Sequence, residues 1–479
     1  MNKFKSPTDF VLNSVKIHPT DGRAPFEIKQ LVNTINYVEA ITAPFLSITM
    51  EIVDSGGLLQ KMPIKGAERV EIEILTNFSQ TPVKYNLTLW KIANRYAQNQ
   101  KQAYTIGLIS SEALNNEVIR IENRLEGNPE SIVGNLLSKT LKTQKTIFSE
   151  SSKFDVKILG NNRRPFDLIA SMCLKCVSPK AKYTTDKPKI DKNNPKKAEG
   201  STKQTIKGTG GFYFWESRRG YNFYSIDSMC ADENSELKSE KLKSQSWGPY
   251  IERLGNQDDG ADNRFAIYKS VFGSEIDIVQ SLRFGKYSTF LSFFNHSTGQ
   301  YEEYVYSIKD SYDNMAHLGG QESISLIPSN EIELSSYPTK RMSFLLDHET
   351  WYNDPTIASP DPKDGSTKPS PFADWHKFYA AQSLARYQLL KNQSCTIVVP
   401  GNPDICAGDK VDIRLMNKLP NSQAKNEPFD QESSGVYLVN ELTHTYDTTM
   451  GANGKYTTTL RLVRDSYGMK GKPSSHDTK

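Results

Sequence analysis

The chain has 479 residues, a formal net charge of +4 and a hydrophobic fraction of 37%. Its length exceeds what one hydrophobic core supports, so we expect two to four domains of about 100 to 200 residues each. The small net charge excludes a global basic field of the kind that gathers nucleic acid, and the lack of any run of about 18 apolar residues excludes a membrane-spanning helix at the level of sequence.

Three local features of the sequence indicate the cellular compartment and the order of the chain. They are the cysteines, the N-terminus and a lysine-rich segment. Five cysteines in so long a chain indicate free thiols in a reducing compartment. The segment Met1–Val15 has no uninterrupted apolar core, so we expect no secretion signal. The segment 179–207 holds nine lysines and three acidic residues, a net charge of +6, which leaves the rest of the chain near −2. This Lys-rich segment has too few apolar residues to repay the entropy of ordering and is expected to be mobile.

The N-terminal part of the chain has the pattern of a small β-barrel. Alternating runs such as 11–17 and 46–52 are separated by turn residues, and Pro44 marks a strand edge or bulge because it lacks an N–H. After Gly66, charged and apolar residues alternate over 68–74 at a period of two, which is typical of a half-buried strand. Roughly seven short strands in about 110 residues predict a closed or nearly closed barrel.

The middle of the chain mixes helices and strands. Asn128 is a good N-cap and Pro129 suits a first helical turn, so a helix is predicted there. A second helix is predicted near Pro165, and aromatic runs on both sides of Arg218-Arg219-Gly220 predict a β-hairpin. We expect residues 312–371 to be irregular. Further strands are predicted over 154–159, 276–284, 287–294 and 301–308.

The C-terminal part repeats the N-terminal pattern. A helix is predicted over 374–391, followed by a strand at 395–399 and a Pro400-Gly401 turn. After Gly408, residues 409–415 alternate in the same way as 68–74 do after Gly66. Two copies of one strand with the same turn chemistry indicate one architectural unit used twice.

In their order, these fragments resemble the hub proteins of contractile tails, and most of all the central baseplate hub subunit family of T-even-like bacteriophages. That family is related to the spikes of type VI secretion systems. In the N-terminal part, the resemblance lies in Glu39-Ala40-Ile41, Pro44-Phe45, Asp54-Ser55 and Pro63-Ile64-Lys65-Gly66. The C-terminal residues that carry it are Arg386, Thr396 to Val399, Pro400-Gly401, Gly408-Asp409, Gly435 to Val439, His444 and Arg461 to Arg464. Between them, Gly210-Gly211-Phe212 to Ser225-Ile226 and Trp247-Gly248-Pro249-Tyr250 are similar to the phage hub.

The resemblance implies a mainly β fold with α+β insertions. Two similar antiparallel β-barrels and a peripheral α/β domain would assemble as a trimeric, pseudo-six-fold ring. The implied first barrel is 1–122, and the implied second barrel is discontinuous, from 276–309 and 385–468. The peripheral domain would then be 123–275 with 310–384, including the Lys-rich segment 179–207, and 469–479 would be a polar tail.

The function that the resemblance implies is structural. A homotrimeric baseplate hub would adapt a six-fold tail tube to a three-fold spike and form part of the channel for genome ejection, in the virion tail baseplate after assembly in the host cytoplasm. The implied partners are a central spike or spike-lysozyme protein, a tail tube or tube-initiator protein, the tape measure protein and baseplate wedge proteins, with transient passage of DNA and no stable membrane insertion. The alternatives are a hub or spike base of a type VI-like or contractile injection system, and a hydrolase of cell-wall glycans.

Individual residues give no catalytic, cofactor or metal site. Cys173 and Cys176 have zinc or redox spacing, but a lone pair favours buried thiols. The cluster Asp258, Asp259 and Asp262 lacks the Glu that closes a calcium loop, so a polar turn is favoured. His444 has no predicted nucleophile and favours a structural role, and Glu302 and Glu303 lie on opposite faces of a strand. The Lys-rich segment favours a solvated loop or a docking arm for acidic partners over a DNA grip.

Overall fold

The computed structural model shows a mainly β chain. It describes residues 4–470 except for 63, 80, 99–100, 182–208, 254–262, 274–276, 297–298, 300, 321–325, 328–331, 347–357, 361–366, 370–371, 419–427 and 451–452. The calcium-loop candidate at 258–262 and most of the Lys-rich segment therefore lie outside the described residues. No helix in the described part of the chain is both long and apolar enough to cross a membrane.

The helices are short, apart from one of 19 residues near the C-terminal third. They are α1 (Leu58–Lys61), α2 (Ser111–Val118), α3 (Pro129–Asn135), α4 (Pro165–Cys173), α5 (Ile226–Cys230), α6 (Ile278–Phe284) and α7 (Phe372–Leu390), and a π-helical turn, Leu136–Thr140, extends α3. Single 3-10 turns lie at Lys29–Leu31, Ile308–Asp310 and Tyr312–Asn314.

The strands fall into an N-terminal group, a central group and a C-terminal group. The first is β1 (Phe10–His18), β2 (Phe26–Glu27), β3 (Val32–Ala40), β4 (Ser47–Asp54), β5 (Arg69–Thr76), β6 (Val83–Gln98) and β7 (Lys101–Ile109). The central group is β8 (Arg124–Gly127), β9 (Ile147–Ser149), β10 (Val156–Leu159), β11 (Phe212–Ser217), β12 (Gly220–Ser225), β13 (Ser246–Glu252), β14 (Ala266–Ile267), β15 (Lys269–Phe272), β16 (Ser288–Asn295), β17 (Tyr301–Ser307), β18 (Leu326–Ile327), β19 (Ile332–Glu333), β20 (Lys340–Leu346), β21 (Ala358–Pro360) and β22 (Thr367–Pro369). The last is β23 (Gln393–Pro400), β24 (Lys410–Arg414), β25 (Gly435–Asp447) and β26 (Lys455–Arg464).

The N-terminal and C-terminal groups repeat one pairing order. In the first, four consecutive strands pair as β4-β7-β6-β5, and in the last they pair as β23-β26-β25-β24. The two alternating stretches predicted from sequence occupy equivalent places, as β5 and β24, and Val70 and Val411 are fully buried in them. The predicted strand echo is therefore confirmed as a repeat of strand order.

The repeats differ in what completes them. Around the C-terminal four strands the pairings form a closed circuit, because β13 pairs with β24 and β14, β15 pairs with β23, and Tyr268 alone separates β14 from β15. Strand β13 runs parallel to β24, so this group departs from the antiparallel pattern expected from sequence. Around the N-terminal four strands, β1 joins β5 and β3 joins β4, both antiparallel.

One core runs through both repeats. Residues that alternate along each strand point inward, so buried side chains such as Ile35, Ile72, Leu442 and Leu460 belong to one continuous apolar cluster. The strand β25 links the repeats directly, because its residues 441–447 pair with residues 34–40 of β3. The strand groups of both ends, together with β13, β14 and β15, thus form a single 14-stranded sheet.

The segment between the repeats builds separate apolar clusters. Helix α3 begins as predicted, with Asn128 accepting a hydrogen bond from the Glu130 N–H at 3.1 Å, and α4 begins at Pro165. The aromatic hairpin is confirmed as β11 and β12, whose residues are all buried. Helix α7 places Tyr379 and Ala385 in the same cluster as this hairpin.

The assignment of 276–309 to the second barrel differs from the observed pairing. Residues 278–284 form helix α6 rather than the predicted strand, because Asp277 caps its first turn and Gly285 ends it with a φ of +79°. The strands β16 and β17 exist as predicted, but β16 pairs with β20, which lies inside the passage expected to be irregular. The strands that complete the C-terminal group are instead β13 to β15.

The turn after β23 gives a test of this packing. A Cβ atom at Gly401 would lie 2.0 Å from Cδ1 of Tyr456, and this ring is fully buried and stacks on Tyr446 with centroids 4.2 Å apart. We expect Gly401→Ala to lower the free energy of unfolding by about 1 to 3 kcal/mol through overpacking. Chemical denaturation followed by tryptophan fluorescence measures it.

A matched control is Gly134→Ala in helix α3, where an added Cβ has no atom within 4 Å. We expect it to be neutral or to stabilise the protein by up to about 1 kcal/mol, as alanine does in a helix. Equal effects of the two substitutions would contradict the packing described for the Pro400-Gly401 turn.

Candidate functional site

The turn of the aromatic hairpin lies at the junction of the two repeats. Gly220 makes the turn possible, since its φ is +136° and a Cβ there would lie 2.2 Å from the Thr146 carbonyl oxygen. The hairpin is anchored in the C-terminal repeat by Trp215, whose indole N–H donates to the Ala407 carbonyl at 2.9 Å. The turn residues Arg218 and Arg219 are thereby placed between strand β3 and the loop before β24.

Glu39 on β3 is the first of two carboxylates that hold this turn. It is 1% exposed, and one oxygen accepts from the Arg218 backbone N–H at 2.7 Å and from the Tyr37 hydroxyl at 2.5 Å. The other oxygen accepts from the Ala407 N–H at 2.9 Å. Burial raises the pKa of Glu39 to about 7, although these donors act in the opposite direction. A single side chain thus joins the N-terminal repeat, the hairpin and the C-terminal repeat.

Asp409 is the second carboxylate, at the start of the repeated strand β24. It receives both guanidinium nitrogens of Arg219 at 2.7 and 2.8 Å, a bidentate geometry. Its oxygens also accept from the Gln245 N–H, the Trp247 indole N–H and the Cys406 N–H, at 2.9 to 3.0 Å. The carboxylate that follows Gly408 therefore fixes the hairpin, β13 and its own loop together.

Lys145 makes a further polar contact between the N-terminal repeat and the hairpin. Its ammonium group donates to Glu112 at 2.6 Å and to Glu216 on β11 at 2.6 Å. Glu216 also accepts from the Ser110 hydroxyl and from the Leu46 N–H. The side chains of Glu112 and Glu216 are 5% and 0% exposed. These residues therefore form a buried contact between elements and not an open binding site.

Arg386 makes the corresponding contact with the C-terminal repeat. The guanidinium, fully buried on helix α7, donates to Asp465 at 2.8 Å and lies 3.3 Å from Asp227. Asp465 follows β26 directly and also contacts His317 at 2.9 Å. Burial opposes the charge of Asp465, but the hydrogen bond from His317 and the charge of Arg386 hold its pKa well below the usual range. Arg386 is one of the residues that carry the sequence resemblance, but its partners Asp465 and Asp227 were not predicted.

His444 lies in the core where the repeats join. It is 1% exposed, its Nδ1 lies 2.9 Å from the Thr458 hydroxyl and 3.1 Å from the Tyr456 hydroxyl, and its ring stacks on Tyr37. Burial and the charge of Arg218 lower the pKa of His444 to about 3, so the imidazole is neutral at ordinary pH. Its contacts are those of a packed core side chain.

The other residues considered from sequence do not converge. Cys173 and Cys176 are free and buried, and burial raises the pKa of the Cys173 thiol to about 12. Strand β17 carries Glu302 and Glu303, and the exposed Glu303 accepts from the Tyr301 hydroxyl at 2.7 Å. Within the described residues, no group of three or more histidines, cysteines or carboxylates is arranged to hold a metal ion.

The hydrogen bonds and the ion pair that Glu39 and Asp409 make were not predicted from sequence, although both residues belong to the fragments that carry the resemblance. Glu39 and Asp409 each sit next to a strand feature that the sequence marks, namely the strand before Pro44 and the glycine before the second alternating stretch. Arg218 lies 179 residues from Glu39 in the chain, and Arg219 lies 190 residues from Asp409. A charged residue at an otherwise apolar strand end was the available signal.

Comparison with known proteins gives structural neighbours alone. No protein-family model matches the chain, and no curated protein matches it. A tail protein from Neisseria meningitidis MC58 aligns over 95% of this chain and 97% of its own, with 10% identity and a TM-score of 0.47. The 43 kDa tail protein of prophage MuSo2 from Shewanella oneidensis aligns over 97% and 100%, with 7% identity and a TM-score of 0.47.

A third neighbour is the E. coli c3393 protein, described as a component of the type VI secretion system with structural similarity to the T4 bacteriophage tail proteins gp27 and gp5. It aligns over 97% of this chain and 79% of its own, with 8% identity and a TM-score of 0.37. Identities of 7 to 10% with TM-scores under 0.5 carry no conclusion about what this chain does.

Removal of the Asp409 charge tests the hairpin junction. We expect Asp409→Asn to lower the free energy of unfolding by about 2 to 3 kcal/mol, because it leaves Arg219 without its carboxylate partner and sets an amide against three N–H donors. The control Asp404→Asn removes the partner of Arg218 at 3.0 Å, where Asp404 is 45% exposed, and should cost at most about 1 kcal/mol. Urea denaturation of both variants measures the difference, and equal small losses would contradict the tie.

The raised pKa of Glu39 predicts a pH dependence of stability. Its folded-state pKa of about 7 lies above the usual 4.5, so the stabilisation from proton uptake is complete below pH 4.5 and is lost as the pH rises through 7. The free energy of unfolding of the wild type should therefore fall between pH 5 and pH 8, by about 3 kcal/mol from this group.

The variant Glu39→Gln should remove this part of the decline, and urea denaturation at several pH values measures it. Glu150, which burial also raises to a pKa of about 7, contributes a second part that Glu150→Gln removes. The surface change Glu441→Gln, which breaks an ion pair with the 62% exposed Arg461, should leave the decline in place. A decline that Glu39→Gln does not reduce would show that Glu39 is ionised across this range.

Proposed function

We propose that the chain is a non-enzymatic tail protein that forms a homotrimeric baseplate hub, adapting a six-fold tail tube to a three-fold spike. The observation that carries the proposal is the repeated strand order, β4-β7-β6-β5 and β23-β26-β25-β24, within one sheet. A chain with two like units presents two like surfaces. Three such chains in a ring present six, while the unlike segments between the repeats keep three-fold symmetry.

Each repeat is proposed to be a β-barrel. The C-terminal unit is supported by its closed circuit of strand pairings and is made of β13 to β15 and β23 to β26. The N-terminal unit is supported by its seven strands within residues 10–109 and by the inward alternation of their apolar side chains. The proposed peripheral domain lies between them and holds the aromatic hairpin, α3, α4 and the sheet of β16, β17 and β20.

A structural role also suits the buried charges. Glu39, Asp409, Glu216 and Arg386 each join elements that are distant in the chain, and each is enclosed by its hydrogen-bonding partners. Such groups penalise misplacement of the elements that they join, since a displaced element leaves a charge or a hydrogen-bonding group buried without its partner. An adaptor needs this property, because both of its repeats have to keep a fixed relative position.

The proposed partners follow from the adaptor role. A tail tube or tube-initiator protein would contact the six-fold side, a spike or spike-lysozyme protein the three-fold side, and wedge proteins the periphery. The tape measure protein and DNA would pass through the ring during assembly and genome ejection. The same architecture would serve the hub of a contractile injection or type VI-like system.

The mass of the purified protein in solution tests the proposal. Light scattering coupled to size exclusion should show a species of about 162 kDa, three times the chain mass of 54.0 kDa, or the mass of three chains plus the spike when trimer formation requires a spike protein. The variant Asp409→Asn, measured in the same way at a temperature where it remains folded, tests whether trimer formation requires the fixed position of the repeats. A wild-type chain that stays monomeric with its spike partner would contradict the proposal.

A further inference from the structure

Strand β6 extends beyond the strand that lies along one of its edges. On that side its residues 83–89 form backbone hydrogen bonds with the stretch 67–74, where β5 begins and runs. On the other side β6 pairs with β7 as far as residue 98. Residues 90–98 therefore have β7 on one side and, among the described residues, no backbone partner on the other. We call residues 90–98 the open edge.

The open edge lies in a stretch of sequence without acidic residues. The 38 residues that follow Glu73 contain three lysines and one arginine but no aspartate or glutamate, so their net charge of +4 equals that of the whole chain. Lys84 lies 3.6 Å from the Glu73 carboxylate. The other three cations, Lys91, Arg95 and Lys101, form no ion pair within the part of the chain that the structure describes. They are available to a partner of opposite charge.

The side chains along the open edge are exposed and include two aromatic rings. Trp90 is 51% exposed and Tyr96 is 61% exposed. The ammonium group of Lys91 lies 5.6 Å from the centroid of the Trp90 ring. Arg95 donates to the Gln102 side-chain oxygen at 2.8 Å, which holds its guanidinium beside the strand. Tryptophan, tyrosine and arginine are the residue types that contribute most to binding at protein interfaces.

We infer that the open edge binds an extended acidic segment of a partner protein, which adds to the sheet as one more strand. An unpaired strand edge presents a row of N–H and C=O groups that another strand can satisfy. Carboxylates on the added strand would lie near Lys91 and Arg95, and its other side chains would pack against Trp90 and Tyr96. The inference does not depend on the proposed ring, because one chain supplies the whole edge.

The same features restrict which strand can pair. Lysines and ladder irregularities are common along edge strands, where they discourage pairing with unrelated strands. The ladder between β6 and β7 is irregular at 93–96, and Asn94 has a φ of +53°. The cations repel a basic strand and attract an acidic one, so the edge discriminates by charge. A nucleic acid has the matching charge but no backbone N–H groups that would continue the sheet, which favours a protein segment.

A defined peptide tests the inference. The probe is a fluorescent peptide of about ten residues, as long as the open edge, in which glutamate alternates with valine or threonine. We expect the wild type to bind it and Lys91→Glu/Arg95→Glu to bind it about tenfold more weakly, because like charges then face each other. The control Lys139→Glu/Lys391→Glu makes the same change in net charge at two exposed lysines elsewhere and should bind as the wild type does. Fluorescence anisotropy measures all three.

A second comparison separates strand pairing from charge attraction. The same peptide with N-methyl groups on its central residues keeps its charge but has no N–H groups there to donate, so the wild type should bind it about tenfold more weakly. The unmethylated peptide should also slow hydrogen exchange of the backbone amides within 90–98. This comparison uses the wild-type chain alone, so it holds even where a charge-reversal variant fails to fold.

Each of the opposite results would overturn the inference. They are no binding by the wild type, equal binding of the two peptides, and equal losses in the two double variants. Tighter binding of a single-stranded DNA of the same charge would make the open edge a nucleic-acid site. Protection of 90–98 that rises with protein concentration, without peptide, would assign the edge to a second copy of this chain. The binding results leave the proposed ring in place, since the mass in solution tests that separately.

Discussion

Strand β25 pairs with two different strands along one edge, and the position of the two repeats relative to each other depends on this. Its first residues pair with β24 in its own repeat, its residues 441–447 pair with β3 in the other repeat, and β26 occupies its second edge. The exchange of partners occurs at 439–441, where the ladder is irregular and the Ile41 N–H donates to the Asn440 carbonyl. Because every backbone group in such a ladder needs a partner, the two repeats cannot separate without exposing a row of unpaired N–H and C=O groups.

The segment between the repeats reinforces this ladder with a few buried charges. The hairpin turn is held by Glu39 from one side and by Asp409 from the other, and Arg386 holds helix α7 to the end of β26. Burial of such groups contributes less to stability than apolar packing of the same volume would, but a wrong position of either repeat would strand a charge. Backbone pairing therefore fixes the two strand repeats relative to each other. The buried polar contacts fix the segment between the repeats relative to both.

Much of this architecture follows from local sequence, and the rest depends on long-range pairing. The strand echo at Val70 and Val411, the aromatic hairpin, the Asn128 cap and the long helix before β23 were predicted because period-two alternation, turn residues and capping residues act over a few neighbours. The strands that close the C-terminal circuit were not, since β13 to β15 lie more than 120 residues before the strands they join and nothing local marks a pairing partner. Helix α6 was predicted as a strand because the spacing of Ile278, Val279 and Leu282 fits both a helix and a strand in so short a run. The capping residues Asp277 and Gly285 favour the helix that is observed. The buried ion pairs were missed for the same reason as the circuit, because each partner is distant in the chain.

The repeated strand order within one shared sheet is the basis of the proposal that three copies of this chain form a ring of six similar units. End-on electron microscope images of the purified ring, averaged without imposed symmetry, test this most directly. The account predicts three-fold symmetry with six lobes of nearly equal size around a central opening, and peripheral density at three of the six junctions. A particle with three lobes, or with six lobes and six equal peripheral densities, would contradict it.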